Sequence, residues 1–451
     1  MRWSSLLSGA LFTGYALAIP FNLKFGRAAN QEFSIAHPGG IGDIILTKDN
    51  TLNGTGHSTG TEIVKSKFTA AAKPLPFAFV NNFSGGQIYA YIQGIDQSGR
   101  VAFVKGDGSY LYPSSGGSEI PIPIDPSIGI PITGRGGTFQ MTLPAALKSG
   151  RIYFSEGRLT FFVVSTPAGD GIVQPSVANL NDPNAGLNWG FVEFTYTNEG
   201  NIFANISYVD FVGMILSMSL KVSDGSGTQL TRGLASNAVS QLCNGLAQQA
   251  GNDGRPWNKM CVSANGKVLR VMSPNTYNVV DTDGFKGYWD NYVNQVWSKY
   301  TGAPLTINTQ TPEAPNTQCR VVNNNLTCSG DNRSYPRPTA GDIWGCNSGP
   351  FTVLDSDNAS HRATVPRLCA AFVRSTLLLP NGNVQPGPAA SDYYKANPTN
   401  HYSRIVHSLE LDGVGYAFPY DDVNPNGNTD SSGSLHSGAP SLLTVYVGGS
   451  G

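Results

Sequence analysis

From Leu75 onward the chain is cut into short runs that alternate apolar with polar side chains and end in Gly, Asn, Asp or Ser. Residues 77–81, 87–95, 101–105, 137–143, 151–164, 189–197, 202–212 and 216–222 all follow this pattern. A period of two fits strands with one buried face, and turn residues at short intervals fit a sandwich or barrel. Between residues 231 and 380 the pattern changes. Ala235, Val239, Leu242 and Leu246 recur at helical spacing, as do Tyr288, Tyr292, Val296 and Trp297, and residues 365–378 form a third candidate helix. Strand-like runs at 268–272 and 305–307 lie among them, and strand signals return at 407–418 and 442–447. The simplest architecture is mainly β. A β-barrel or sandwich, residues 74–230 and 405–451, is interrupted by a small α/β subdomain, residues 231–404, with a wide cleft between the two. Such a junction is a common place for a ligand.

Composition narrows what the cleft holds. Hydrophobic residues make up 40% and charged residues 13% of 451 positions, enough for a large core. Lys and Arg number 29 against 30 for Asp and Glu, and no basic run is interleaved with aromatics. No nucleic-acid partner is expected, and the ligand should be uncharged. Met1 and Arg2 precede an apolar stretch at residues 6–17 and the small-x-small site Ala16-Leu17-Ala18, the layout of a secretory leader over residues 1–18. The stretch is shorter than the ~20 residues that span a bilayer, so no membrane anchor is expected. Residues 19–73, rich in Gly, Thr, Asn and Ala, read as a propeptide or a loosely held extension. The protein is expected to be a secreted monomer, extracellular or in a cell wall. Sequons at Asn53, Asn82, Asn205, Asn325, Asn332 and Asn358 fit a eukaryotic secretory route. Cys243, Cys261, Cys319, Cys328, Cys346 and Cys369 are an even set suited to disulfides. Neighbours in sequence would close modest loops, so the pairs 243–261, 319–328 and 346–369 are expected.

Two acids stand out on apolar strands. Glu193 lies between Val192 and Phe194, and Asp210 between Val209 and Phe211. A lone carboxylate there must face a cleft, a partner or water. A Gly-containing turn at residues 198–201 makes the two runs a hairpin. Pairing Thr197 with Ile202 sets Glu193 opposite Ile206, with Asp210 on the same face roughly 13 Å further along. A half-exposed sheet would also turn both acids to solvent, so spacing alone leaves both readings open. Thr195 and Thr197 share the face of Glu193 and are candidate groove residues, although Thr is an ordinary strand former. Trp189 and Tyr208 offer aromatic faces for sugar rings and would serve equally well as core.

The run Phe-Val-Glu-Phe-Thr at 191–195, Asn-Ile-Ser-Tyr-Val-Asp at 205–210, Tyr-Val-Asn-Gln-Val-Trp at 292–297 and Tyr-Ala-Phe-Pro-Tyr-Asp-Asp-Val at 416–423 occur in this order. Together they resemble the glycoside hydrolase family 64 endo-β-1,3-glucanases of the laminaripentaose-producing type, here in a fungal secreted form. The likeness spans about residues 75–447. It implies a thaumatin-like β-barrel beside an α/β domain, and a wide groove that takes β-1,3-glucan. It also implies an inverting mechanism with Glu193 as general acid and Asp210 as general base, and Asp421 and Asp422 reaching the groove, where a salt bridge or turn is the alternative. No cofactor is called for. The six His lack metal-ligand spacing, and the calcium-like run beginning at Asp422 carries Gly433 where a bidentate Glu belongs. The rival reading is a thaumatin-like protein that binds β-glucan without cutting it.

Overall fold

Alternating side chains build two stacked sheets whose inner faces meet through aromatics. A computed structural model describes residues 32–64, 73–425 and 432–449. The expected leader lies outside them. Strand Leu75–Asn81 turns Phe77 and Phe79 onto Phe194 and Phe154 of the facing sheet, edge to face at 5.6 and 5.1 Å between ring centres. Burying a side chain of this size stabilises by about 1.5–3 kcal/mol. The larger sheet has nine strands and the facing one five. In the five-stranded sheet, Pro440–Val447 lies parallel to Leu75–Asn81 on one side and antiparallel to Leu216–Val222 on the other. Both sheets are open at their edges, so the sandwich expectation holds and the barrel does not.

The nine-stranded sheet carries a second, outer layer. Tyr91, Tyr153, Phe161, Trp189, Phe191 and Phe211 pack there as a separate cluster. Alternation along Trp189–Tyr196 sends Val192 and Phe194 to the inner core and Trp189, Phe191, Glu193 and Thr195 to this outer face.

Residues 231–404 contain the expected helices, with shifted ends. Ala238–Asp253 and Asp290–Gly302 bury Leu242, Leu246, Tyr292, Val296 and Trp297. The third helix is Ala359–Val373, capped by Asn358 and ended before Ser375, which has a left-handed φ of 56°. Pro366 lies inside it instead of opening it. The run at 407–418 is not a strand. Tyr402, Ile405 and Val406 form the buried face of helix His401–Leu409, and Asn400 caps it by accepting from Ser403 N.

Strand Phe211–Val212 pairs with Lys267–Met272, so one sheet straddles residue 230 and one core runs across both parts. Residues 33–64 are not loosely held. Ser34–Ile35, Thr51–Asn53 and Glu62–Val64 each join a different sheet, beside Cys261–Ala264, Gly169–Val173 and Tyr110–Tyr112. All three sequential disulfides are present, and Cys319 and Cys328 face each other across a hairpin.

Candidate active site

Glu193 sits mid-strand on a groove of about 1150 Å³. Arg151 lies directly opposite on Leu147–Glu156 and donates from Nε and one terminal nitrogen to Glu193 Oε1, at 3.1 and 2.9 Å. Both bonds go to one oxygen, which leaves Oε2 for another partner. The guanidinium stacks on Phe191, 4.4 Å from the ring centre, and donates to Gln174 Oε1 at 2.9 Å. These contacts fix the carboxylate's direction.

On the other side, Glu193 faces Asn205 and not Ile206. The turn is shorter than expected: Thr197 N bonds Asn201 O at 2.9 Å, Tyr196 pairs with Ile202, and Gly200 takes a φ of 85°. A three-residue hairpin loop ending in left-handed Gly explains the one-residue slip. Thr197 is therefore a turn residue, its hydroxyl accepting from Asn201 N. Asn205 lines the groove, so a glycan on that sequon would fill it.

Asp210 is not on the hairpin at all. The strand ends at Ile206, and the chain crosses to the sheet of Lys267–Met272. The crossing is pinned along its backbone. Tyr208 N donates to Tyr416 O, and Tyr402 hydroxyl donates to Tyr208 O at 2.6 Å. Ser273 N and Thr276 Oγ1 both donate to Asp210 O at 2.8 Å, from the first turn of helix Pro274–Val280. The half-buried side chain opens onto the same groove as Glu193. Burial raises the Asp210 carboxyl above the usual Asp range; Glu193 and Asp49 push the same way, and Arg151 opposes them.

The other expected residues divide. Thr195 and Asp422 line the groove. Trp189 and Tyr208 do not. Trp189 is 1% exposed, packed on Phe211 with ring centres 4.6 Å apart, and Tyr208 lies in the inner core. Exposed Phe203, opposite Thr195, and Tyr420 supply aromatic lining instead. Asp421 is buried away from the groove, bonded to Arg374 at 3.0 Å, His407 Nε2 at 3.1 Å and Ala417 N at 2.8 Å. Burial alone would raise its carboxyl, but His407 and Arg374 hold it below the usual range. His407, also 3.0 Å from Glu410, is disfavoured as a cation by burial, yet the two acids carry it to about 10. Sequence reasoning missed Arg151, Gln174, Asn205 and Asp49. Arg151 did leave a signal: a cation on an apolar strand needs a partner as much as Glu193 does.

The model of glycoside hydrolase family 64, described as beta-1,3-glucanase, matches residues 73–447. The chain belongs to this family. The family 64 chain is 28% identical to a glucan endo-1,3-beta-glucosidase of Cellulosimicrobium cellulans over 396 residues, covering 85% of this chain and 67% of that protein. It superposes on a laminaripentaose-producing beta-1,3-glucanase crystallised with laminaritetraose, with a TM-score of 0.72, 28% identity, and coverage of 83% of this chain and 98% of that one. A family 64 glucanase domain from Clostridium beijerinckii shares the fold at 20% identity, with a TM-score of 0.62 over 83% of this chain and 98% of its own.

Proposed function

We propose that this chain is a secreted, monomeric endo-β-1,3-glucanase of fungal type that cuts glucan with inversion, using Glu193 and Asp210. One observation carries the reading: two carboxylates from separate elements converge on a single groove, one steered by Arg151 and the other held at the crossover. The relative of known structure at 28% identity was crystallised with laminaritetraose, which supports a β-1,3-glucan chain in the groove.

Glu193 gives its proton to the glycosidic oxygen as the bond to the anomeric carbon breaks. Asp210 takes a proton from a water that attacks that carbon from the opposite face. The products are a new non-reducing end and an α-configured reducing end, and solvent returns both acids to their starting states. A raised Asp210 suits a base, because its proton affinity then lies closer to the working pH. Inversion needs room for that water, with carboxyls about 6.5–9.5 Å apart.

The reverse assignment is favoured by one feature: burial keeps Asp210 protonated to higher pH than an ordinary Asp. Chemistry separates the two. If Glu193 is the acid, Glu193→Gln keeps activity on a glucan oligosaccharide with a dinitrophenyl leaving group, and azide rescues Asp210→Asn as an α-glycosyl azide. Proton NMR of fresh products tests inversion itself: β-anomer appearing first would overturn it.

A further inference from the structure

Residues 33–64 precede the span that the family shares, which begins at residue 73, yet they reach the groove. We infer that the turn at residues 47–50 is an added wall of the substrate site, with Lys48 and Asp49 hydrogen-bonding glucan hydroxyls beside Glu193 and Asp210. This rests on the groove holding β-1,3-glucan.

The turn is built rather than draped. Asn50 is 7% exposed, and its Oδ1 accepts from Thr47 N at 2.8 Å and Thr47 Oγ1 at 3.0 Å, while Nδ2 donates to Ile45 O at 2.8 Å. Asn50 O accepts from Gln174 N at 2.8 Å. Gln174 is the residue that also accepts from Arg151, so the turn and the clamp on Glu193 share an anchor. Beyond the turn, Thr51–Asn53 pairs with Gly169–Val173, and before it Asp43 O accepts from Asn179 Nδ2 at 2.6 Å, fixing the segment on both sides.

Lys48 and Asp49, between those locks, are exposed, line the groove and make no ion pair among the described residues. Asp49 is near enough for its charge to act on Asp210. A 1,3-linked glucose keeps its 2-, 4- and 6-hydroxyls free. A carboxylate accepts from the 4- and 6-hydroxyls together, and an ammonium donates to hydroxyl oxygens. The turn thus offers an acceptor and a donor in the groove that both acids line.

The test uses the full chain and a linear β-1,3-glucan hexasaccharide. Lys48→Ala/Asp49→Ala is expected to raise KM roughly tenfold, the loss of charged hydrogen bonds, with kcat within about twofold. In the Glu193→Gln background, titration calorimetry should show the same loss of affinity for the hexasaccharide. Lys48→Gln/Asp49→Asn covers poor folding of the first pair, and the melting temperature should stay at the parental value. Parental KM and affinity in the variants, with a parent that cuts the hexasaccharide, would overturn the wall and leave the function standing. A parent that neither cuts nor binds it would overturn both.

Discussion

Glu193 and Asp210 reach one groove by opposite routes. Glu193 rides the middle of a sheet strand, and its position follows from pairing with Arg151 and Asn205 on either side. Asp210 rides a connection between sheets, held by Tyr402, Tyr416, Ser273 and Thr276 from elements remote in sequence. A sheet sets a side chain's direction through its own ladder. A connection borrows that rigidity from whatever packs against it, so its geometry is more easily disturbed without unfolding the chain.

The largest test removes each acid's proton chemistry. Glu193→Gln and Asp210→Asn should each cut kcat by ~10²–10⁴-fold, read as release of reducing ends. Their stabilities should diverge. Asp210 is raised by burial, so its ionised form costs stability as pH rises from the usual Asp range through the raised value; Asp210→Asn should melt no lower than the parent at pH 7. Glu193→Gln strips Arg151 of its counter-ion and should melt lower. Equal losses in both would erase the contrast.

Next comes the charge network beneath the crossover. His407 and Arg374 hold Asp421, which accepts from Ala417 N beside the Tyr416 carbonyl that anchors Tyr208. His407→Ala should cost about 3–5 kcal/mol in denaturant unfolding, because buried Glu410 loses its cation and buried Asp421 is left with Arg374 alone. The sign for pH is set by the raised His407. Its contribution is complete below its unfolded value near 6.5 and fades as pH rises through about 10. Hydrogen exchange should then open residues 207–210 before the strand that carries Glu193.

Smaller effects separate the two routes further. Thr276→Val deletes one donor to Asp210 O and should lower kcat roughly tenfold or less, with a stability loss of about 1 kcal/mol. The smallest change is in the pH profile. The charged groups acting on Asp210 are Arg151, Glu193 and Asp49. Removing the charge with Asp49→Asn should move the acid limb of kcat/KM to lower pH, and an upward move would contradict the placement of Asp49.

The same contrast governs what the sequence revealed. Strands such as Leu216–Val222 and Leu305–Ile307 were legible because apolar and polar residues alternate within each short run. Glu193 was legible for the same reason. The break after Ile206 was not, since Ser207-Tyr-Val-Asp continues the alternation while the pairing partner changes to a strand more than fifty residues away. Residues 151–164 were read as one run, although Gly157, with a φ of 92°, divides two strands of different sheets. Helix His401–Leu409 did carry its signal: Tyr402, Ile405, Val406 and Leu409 at helical spacing behind Asn400. Reading from His407 onward hid it. The helix so hidden is the one that supplies Tyr402 to the crossover. Trp189 shows the limit of type-based reasoning, because a large aromatic on the strand that carries Glu193 is core or platform according to which neighbours cover it.

The parallel seat of Pro440–Val447 between Leu75–Asn81 and Leu216–Val222 has a consequence for biosynthesis. Early strands of the five-stranded sheet leave the ribosome with a gap where this late segment belongs. At ribosomal speed the wait is on the order of tens of seconds. Until then, the two backbone edges that this strand will pair with stay open to other nascent chains. The yield of active protein from a host should therefore respond to chaperone supply and translation speed more than to the strength of any single contact in the finished core.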